Sequence, residues 1–106
     1  MSGSIPPGVI ADAVAAAKLW LRVDSDEGVL AGLAETAILT AEAFVGRVVV
    51  LREGGTEGAA SWAAVPGPIA QGTAMLVAHL FEARSGDVVP PVAVAALWRP
   101  YRQVRL

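Results

Sequence analysis

Chemistry in this chain would have to begin at His79, its single histidine. Glu82 follows three positions later, which on a helix brings the two side chains onto one face. A catalytic reading needs a nucleophile and an orienting acid converging on that imidazole. Ser61 and Ser85 are the nearest in kind, and neither sits in a recognisable nucleophile turn. A metal reading needs further ligands at helical spacing, and a second histidine is missing. His79 is therefore read as a structural residue. No catalytic, cofactor-binding or metal-ligating residue is assigned, no cofactor is expected, and the chain is not expected to be an enzyme.

Two other clusters invite a ligand. Asp24-Ser25-Asp26-Glu27 packs three carboxylates into four residues, but without the alternation of an EF-hand loop. Apolar periodicity begins just afterwards, so the cluster reads as a helix start. Asp24 or Ser25 caps free N–H groups, and Asp26 and Glu27 sit at the positive end of the dipole. Gly54-Gly55 is followed by no Gly-Lys-Ser/Thr, so it is not a phosphate loop.

The elements that would position these residues are mostly helical. The central one is Ile69 to about Arg84, led by prolines. At about 100° per residue, Ile69, Thr73, Leu76, Val77, Leu80 and Ala83 fall on one side. Ala70, Ala74 and Phe81 widen that side, leaving a narrow polar strip of Gln71, His79 and Glu82. So broad an apolar face predicts a helix with neighbours on several sides. Ser85-Gly86 ends it, and Pro90-Pro91 starts a short helix, Val92 to Trp98, which Pro100 stops. Upstream, Ile10 to Arg22 reads as a first helix with Ile10, Val14, Ala17 and Leu21 inward and Trp20 a packing residue beside them. A second helix spans Asp26 to Val45, with Leu30, Leu33, Ala34, Ala37, Ile38, Ala41 and Phe44 inward, and Glu35 and Glu42 facing away. Gly46 ends it.

Arg47 to Arg52 reads as a short strand, Glu53 to Gly58 as a turn, and Ala59 to Val65 as a weaker strand around Trp62. The predicted fold class is mainly α: two long helices, shorter N- and C-terminal helices, and at most a short β-hairpin between the long ones. Residues 1–8 are expected to form a flexible arm, 9–100 a single helical domain with hairpin or loop at 47–65, and 101–106 a C-terminal tail.

Composition bounds the function. The chain has 106 residues, 55% of them apolar, and no cysteine, which excludes disulfides and thiol chemistry. Eight cations oppose ten acids, so no overall basic field draws nucleic acid. The charge is lopsided: residues 1–46 carry two cations against six acids, whereas from Arg84 onward four arginines face one aspartate. No fixed charge lies between Glu57 and Glu82, but Pro66-Gly67-Pro68 divides that run, and what remains is shorter than the roughly 20 residues of a membrane span. No membrane association and no secretory signal are expected.

Two blocks of sequence carry a resemblance. KLWLRVDSDEGVLAGLAETAILTAEAFVGR has Trp20, Leu21, Arg22, Val23, Asp24, Asp26, Leu30, Leu33, Ala37, Glu42 and Gly46-Arg47 at matching places. VPGPIAQGTAMLVAHLFEARSGDVVPPVAVAALWRPYR has Pro68, Ile69, Gln71, Leu76 to Leu80, Glu82, Arg84, Pro91, Leu97 and Pro100-Tyr101-Arg102. In this order they resemble the two halves of the small head–tail connector, or adaptor, proteins of tailed bacteriophages. Val45 stands where a threonine is common, and the middle segment is compressed.

The resemblance implies a structural virion protein at the head–tail junction, made in the host cytoplasm during assembly. Such a subunit binds beneath the portal protein after DNA packaging, forms a ring of itself with the portal's twelvefold symmetry, and presents a surface to a tail-side stopper or completion protein. DNA then passes only as cargo. Prophages and gene-transfer particles use similar parts. The alternative is a small helical DNA-binding or regulatory protein, which would need a basic recognition helix that neither long helix supplies.

Candidate surfaces follow. A line of Gly32, Thr36, Leu39 and Ala43 on the back of the second helix would let another subunit approach closely. An exposed Val48-Val49-Val50 strand edge would call for a covering partner. Both are self-association candidates, and head-to-tail contacts that close by rotation would make the ring. The tail offers Arg99, Tyr101, Arg102 and Arg105 as partner-binding residues, with the portal as the expected partner.

Overall fold

Prolines set three helix starts in this chain. The computed structural model describes residues 4–21, 27–83 and 90–102. Among them are four α-helices: α1 (Pro7–Leu21), α2 (Glu27–Val45), α3 (Gly67–Ala83) and α4 (Val92–Trp98). The carbonyl of Pro6 accepts from the N–H of Val9 at 3.1 Å, that of Pro66 from Ala70 at 3.0 Å, and that of Pro91 from Ala95 at 3.0 Å. A proline in the first turn loses no hydrogen bond, and its fixed φ suits the helix. The mainly α architecture predicted from periodicity is the one observed.

Helix α3 is the hub, packed against α1, α2 and α4. Ile69, Thr73, Ala74, Leu76, Val77, Ala78 and Leu80 are buried, while Gln71, His79 and Glu82 are exposed, as the pattern predicts. The one buried polar side chain among the described residues, Thr73, donates its hydroxyl to the Ile69 carbonyl at 2.7 Å. Against α3 lies a core rich in alanine: Ala13 and Ala17 of α1 with Ala34, Ala37 and Ala41 of α2, all at or near zero exposure. Small side chains at these places let the helix axes approach closely.

Neighbouring side chains give the chain directions. Trp20, near the end of α1, shares a cleft with Ala78 and His79 near the end of α3, so α1 and α3 run the same way. Trp98, at the end of α4, lies against Ile69 and Gly72 at the start of α3, so α4 runs back along α3. Lys18 pairs with Glu27 across the α1–α2 hairpin.

Four expectations need correction. Of the expected arm, the described part is not separate: Ile5 is buried in the core and Pro7 and Gly8 belong to α1, because Pro6-Pro7 directs the chain into the helix, while residues 1–3 lie outside the described residues. Trp20 is 52% exposed rather than packed, since Val9, Ala13, Val14 and Ala17 take the inward positions of α1. No strand or hairpin forms between Arg47 and Val65 among the described residues. A single parallel bridge joins Val50 to Ala59, with Leu51 donating to Ala59 at 2.9 Å and Ala59 to Val49 at 2.8 Å. Gly58 permits this crossing: its φ is +100°, and a Cβ there would lie 2.7 Å from the Val50 carbonyl carbon. Trp62 then starts a 3₁₀ turn, Trp62–Ala64, instead of a strand. The fourth correction concerns Glu42 and is described below.

Among the described residues, the one helix long and apolar enough to cross a membrane, by length and composition, is α2 rather than the uncharged run before Glu82. In the fold α2 packs on α1, α3 and α4.

Candidate functional site

Glu42 does not face away from the body. Its side chain is largely buried, and it organises the segment that leaves α2. Gly46, at φ +80°, donates to the Glu42 carbonyl at 2.9 Å and turns the chain out of the helix. The chain returns over the Glu42 carboxylate. Oε2 accepts from the Val49 N–H at 2.9 Å, the Val50 N–H at 3.3 Å and Arg52 Nη1 at 2.8 Å, while Oε1 pairs with Arg52 Nη2. Arg52 Nη1 also reaches the Val50 carbonyl at 2.7 Å. The hydrogen bonds that Arg52 donates to Glu42 hold its guanidinium above the ordinary pKa against the opposing pull of burial, and the Glu42 and Glu35 charges add to the effect. The arrangement is a structural clasp that ties the loop after α2 back to that helix.

That clasp corrects the proposed strand edge. Val50 is fully buried, Val49 is 7% exposed and Val48 is half-buried. The Val49 and Val50 N–H groups are already bonded to Glu42, so they offer no edge to a second subunit. The other self-association candidates are on the surface. Leu39 is 49% exposed, Gly32 and Ala43 are exposed, and Thr36 is half-buried.

At the far end, the chain after α4 turns back onto the body. A 3₁₀ turn, Arg99–Tyr101, half-buries Tyr101. It lays the Arg102 guanidinium 5.2 Å from the centre of the Phe44 ring, which in turn lies 5.8 Å from the Trp98 ring. Tyr101 and Arg102 are thus anchored to α2, and Arg99 is exposed. Arg105 lies outside the described residues, as do Asp24, Ser25, Asp26, Ser85 and Gly86.

His79 stands at the rim of a cleft of about 250 Å³ lined by Trp20, Met75, Ala78, His79, Glu82, Pro91 and Val94. Three helices build it: the end of α1 supplies the indole, α3 the imidazole and carboxylate, and the start of α4 the floor. Among the described residues no group of three metal-ligating side chains occurs. Ser61 is exposed and forms no side-chain cap hydrogen bond at its 3₁₀ turn. The cleft offers an aromatic face, a carboxylate and an imidazole, which together suit a cationic or amphipathic side chain from a partner.

Sequence reading missed two structural residues. Glu42 was hidden because its helical position is peripheral, and only the returning loop buries it. Gly72 lies inside α3, and its role appears only once Trp98 is placed over it. Comparison with known proteins adds no constraint: no family model, no curated protein and no solved structure matches the chain.

Proposed function

We propose that this chain is a subunit of a head–tail connector ring in a phage-like particle. The ring sits beneath the portal and joins a DNA-filled head to tail-side proteins, without enzymatic activity. The observation that carries the reading is the ordered resemblance of both sequence blocks, whose residues converge in three dimensions. Trp20 of the first block lines one cleft with Ala78, His79, Glu82 and Pro91 of the second. Glu42 and Gly46 of the first block shape the exit from α2, and Pro100-Tyr101-Arg102 of the second fold back onto that same helix end. Residues that resemble a pattern and also hold the fold together support a shared architecture.

The reading assigns self-contact to the surface line of Gly32, Thr36, Leu39 and Ala43. It assigns portal contact to the segment that follows Arg102, with Arg105 as its charged residue. A DNA-binding regulator is less well supported. Lys18 is the sole cation within the four described helices, and it is paired with Glu27. A recognition helix needs several such charges facing the groove.

The test is localisation. Particles produced with an epitope-tagged chain should carry the tag at the head–tail junction when viewed with a gold-labelled antibody. Tag absent from particles, or found on the capsid shell or tail tip, would reject the connector reading.

A further inference from the structure

The molecule has two unlike ends along α3. Ile69 and Glu82 are thirteen residues apart on that helix, about 20 Å at 1.5 Å per residue. At the Ile69 end lie Trp98, Phe44 and the 3₁₀ turn carrying Arg99 and Arg102. At the Glu82 end lies the cleft with its half-exposed Trp20 and its exposed His79 and Glu82. Arg99 is exposed, and its side chain has no hydrogen-bond or ion-pair partner among the described residues. Arg102 is fixed on one side by Phe44. One end thus presents guanidinium groups on a rigid turn, and the other an aromatic face beside a carboxylate.

These two surfaces are chemically complementary. A guanidinium stacks on an indole and donates to a carboxylate in the same plane, a pairing that lysine cannot reproduce. The lopsided charge of the chain, acidic before residue 46 and basic after Arg84, favours the same encounter at long range. The own-chain pairing is excluded by geometry, because the two surfaces sit at opposite ends of α3.

We propose that the Arg99–Arg102 turn of one copy seats in the Trp20–Glu82 cleft of a second copy. Arg99 lies against the indole and donates to Glu82. The contact is heterologous, so each copy keeps one free donor end and one free acceptor end, and successive copies add until rotation closes them. This deepens the connector reading, on which it rests for its biological setting, by naming an intersubunit contact separate from the Leu39 face.

Sedimentation velocity over a concentration series, in low and high salt, tests it. Wild-type chain should self-associate, and added salt should weaken the association. Arg99→Glu and Glu82→Arg should each weaken it about tenfold or more, as should Trp20→Ala. All three positions are exposed, so circular dichroism should report folded protein. The variant carrying both Arg99→Glu and Glu82→Arg restores the pair with reversed polarity and should recover most of the wild-type affinity. Mixing the two single variants should likewise restore association, because the turn of each variant then meets a cleft of opposite charge on the other. The proposal is overturned if wild-type chain stays monomeric, if the single variants associate normally, or if the double variant is as weak as either single. Normal junction labelling together with charge-insensitive association removes this contact and leaves the connector reading standing. Loss of junction labelling in wild-type particles removes that reading, whatever the chain does in solution.

Discussion

The indole of Trp98 occupies the space that a side chain on Gly72 would need. A Cβ at Gly72 would lie 2.4 Å from Trp98 Nε1, and that nitrogen donates to the Ile69 carbonyl at 3.3 Å. Trp98 is fully buried, so it has nowhere to retreat. Gly72→Ala gains about 1 kcal/mol of helix propensity. It should nevertheless lower stability, because overpacking a closed core costs about 1–3 kcal/mol. In a Trp98→Leu background the sign should reverse and alanine should stabilise. Urea denaturation of the four proteins checks this, and a stabilising Gly72→Ala in the wild-type background would contradict the packing.

Leu76 is fully buried and Leu80 nearly so on the hub helix. Leu76→Ala or Leu80→Ala should cost about 2–5 kcal/mol, the range for truncating a buried leucine. Losses no larger than those of exposed substitutions would remove α3 from the centre of the core.

Glu42→Ala should cost about 1–3 kcal/mol, since it takes the acceptor from a part-buried guanidinium and from the Val49 and Val50 N–H groups. Arg52→Met should cost less, because it leaves no unpaired cation. The Arg52 pKa is raised in the folded state, so its contribution is complete at neutral pH and is lost only as pH rises through that high value. Guanidinium chloride midpoints of the two variants should therefore rank Glu42→Ala below Arg52→Met, and the reverse order would refute the clasp.

Much of this architecture is legible in the sequence, for physical reasons. The broad apolar face of α3 and the proline-led starts are local signals, and they locate the helices to within a few residues. The valine run at Val48–Val50 misleads because β-branched residues favour strands on average. Here the N–H groups that would build a ladder are taken by a carboxylate eight or fewer residues away. Trp20 misleads in another way: a helix periodicity allows a large aromatic to flank the stripe, and only the placement of α3 and α4 shows that it borders an open cleft. The cleft itself joins residues some sixty positions apart, beyond the reach of any local pattern.

Leu39 is half-exposed on α2, between Thr36 and Ala43. Leu39→Glu should leave the far-ultraviolet circular dichroism and thermal midpoint nearly unchanged, as expected of a surface position. It should weaken ring formation in complemented particles. Normal incorporation of this variant would show that the face is not an interface.

The central claim, a connector beneath the portal, is tested most directly by deleting the gene in a host that makes the particles and imaging the products by electron microscopy. The account predicts heads without attached tails, free tails alongside them, and recovery of joined particles when the gene is supplied in trans. Complete tailed particles in normal number from the deletion strain would contradict it.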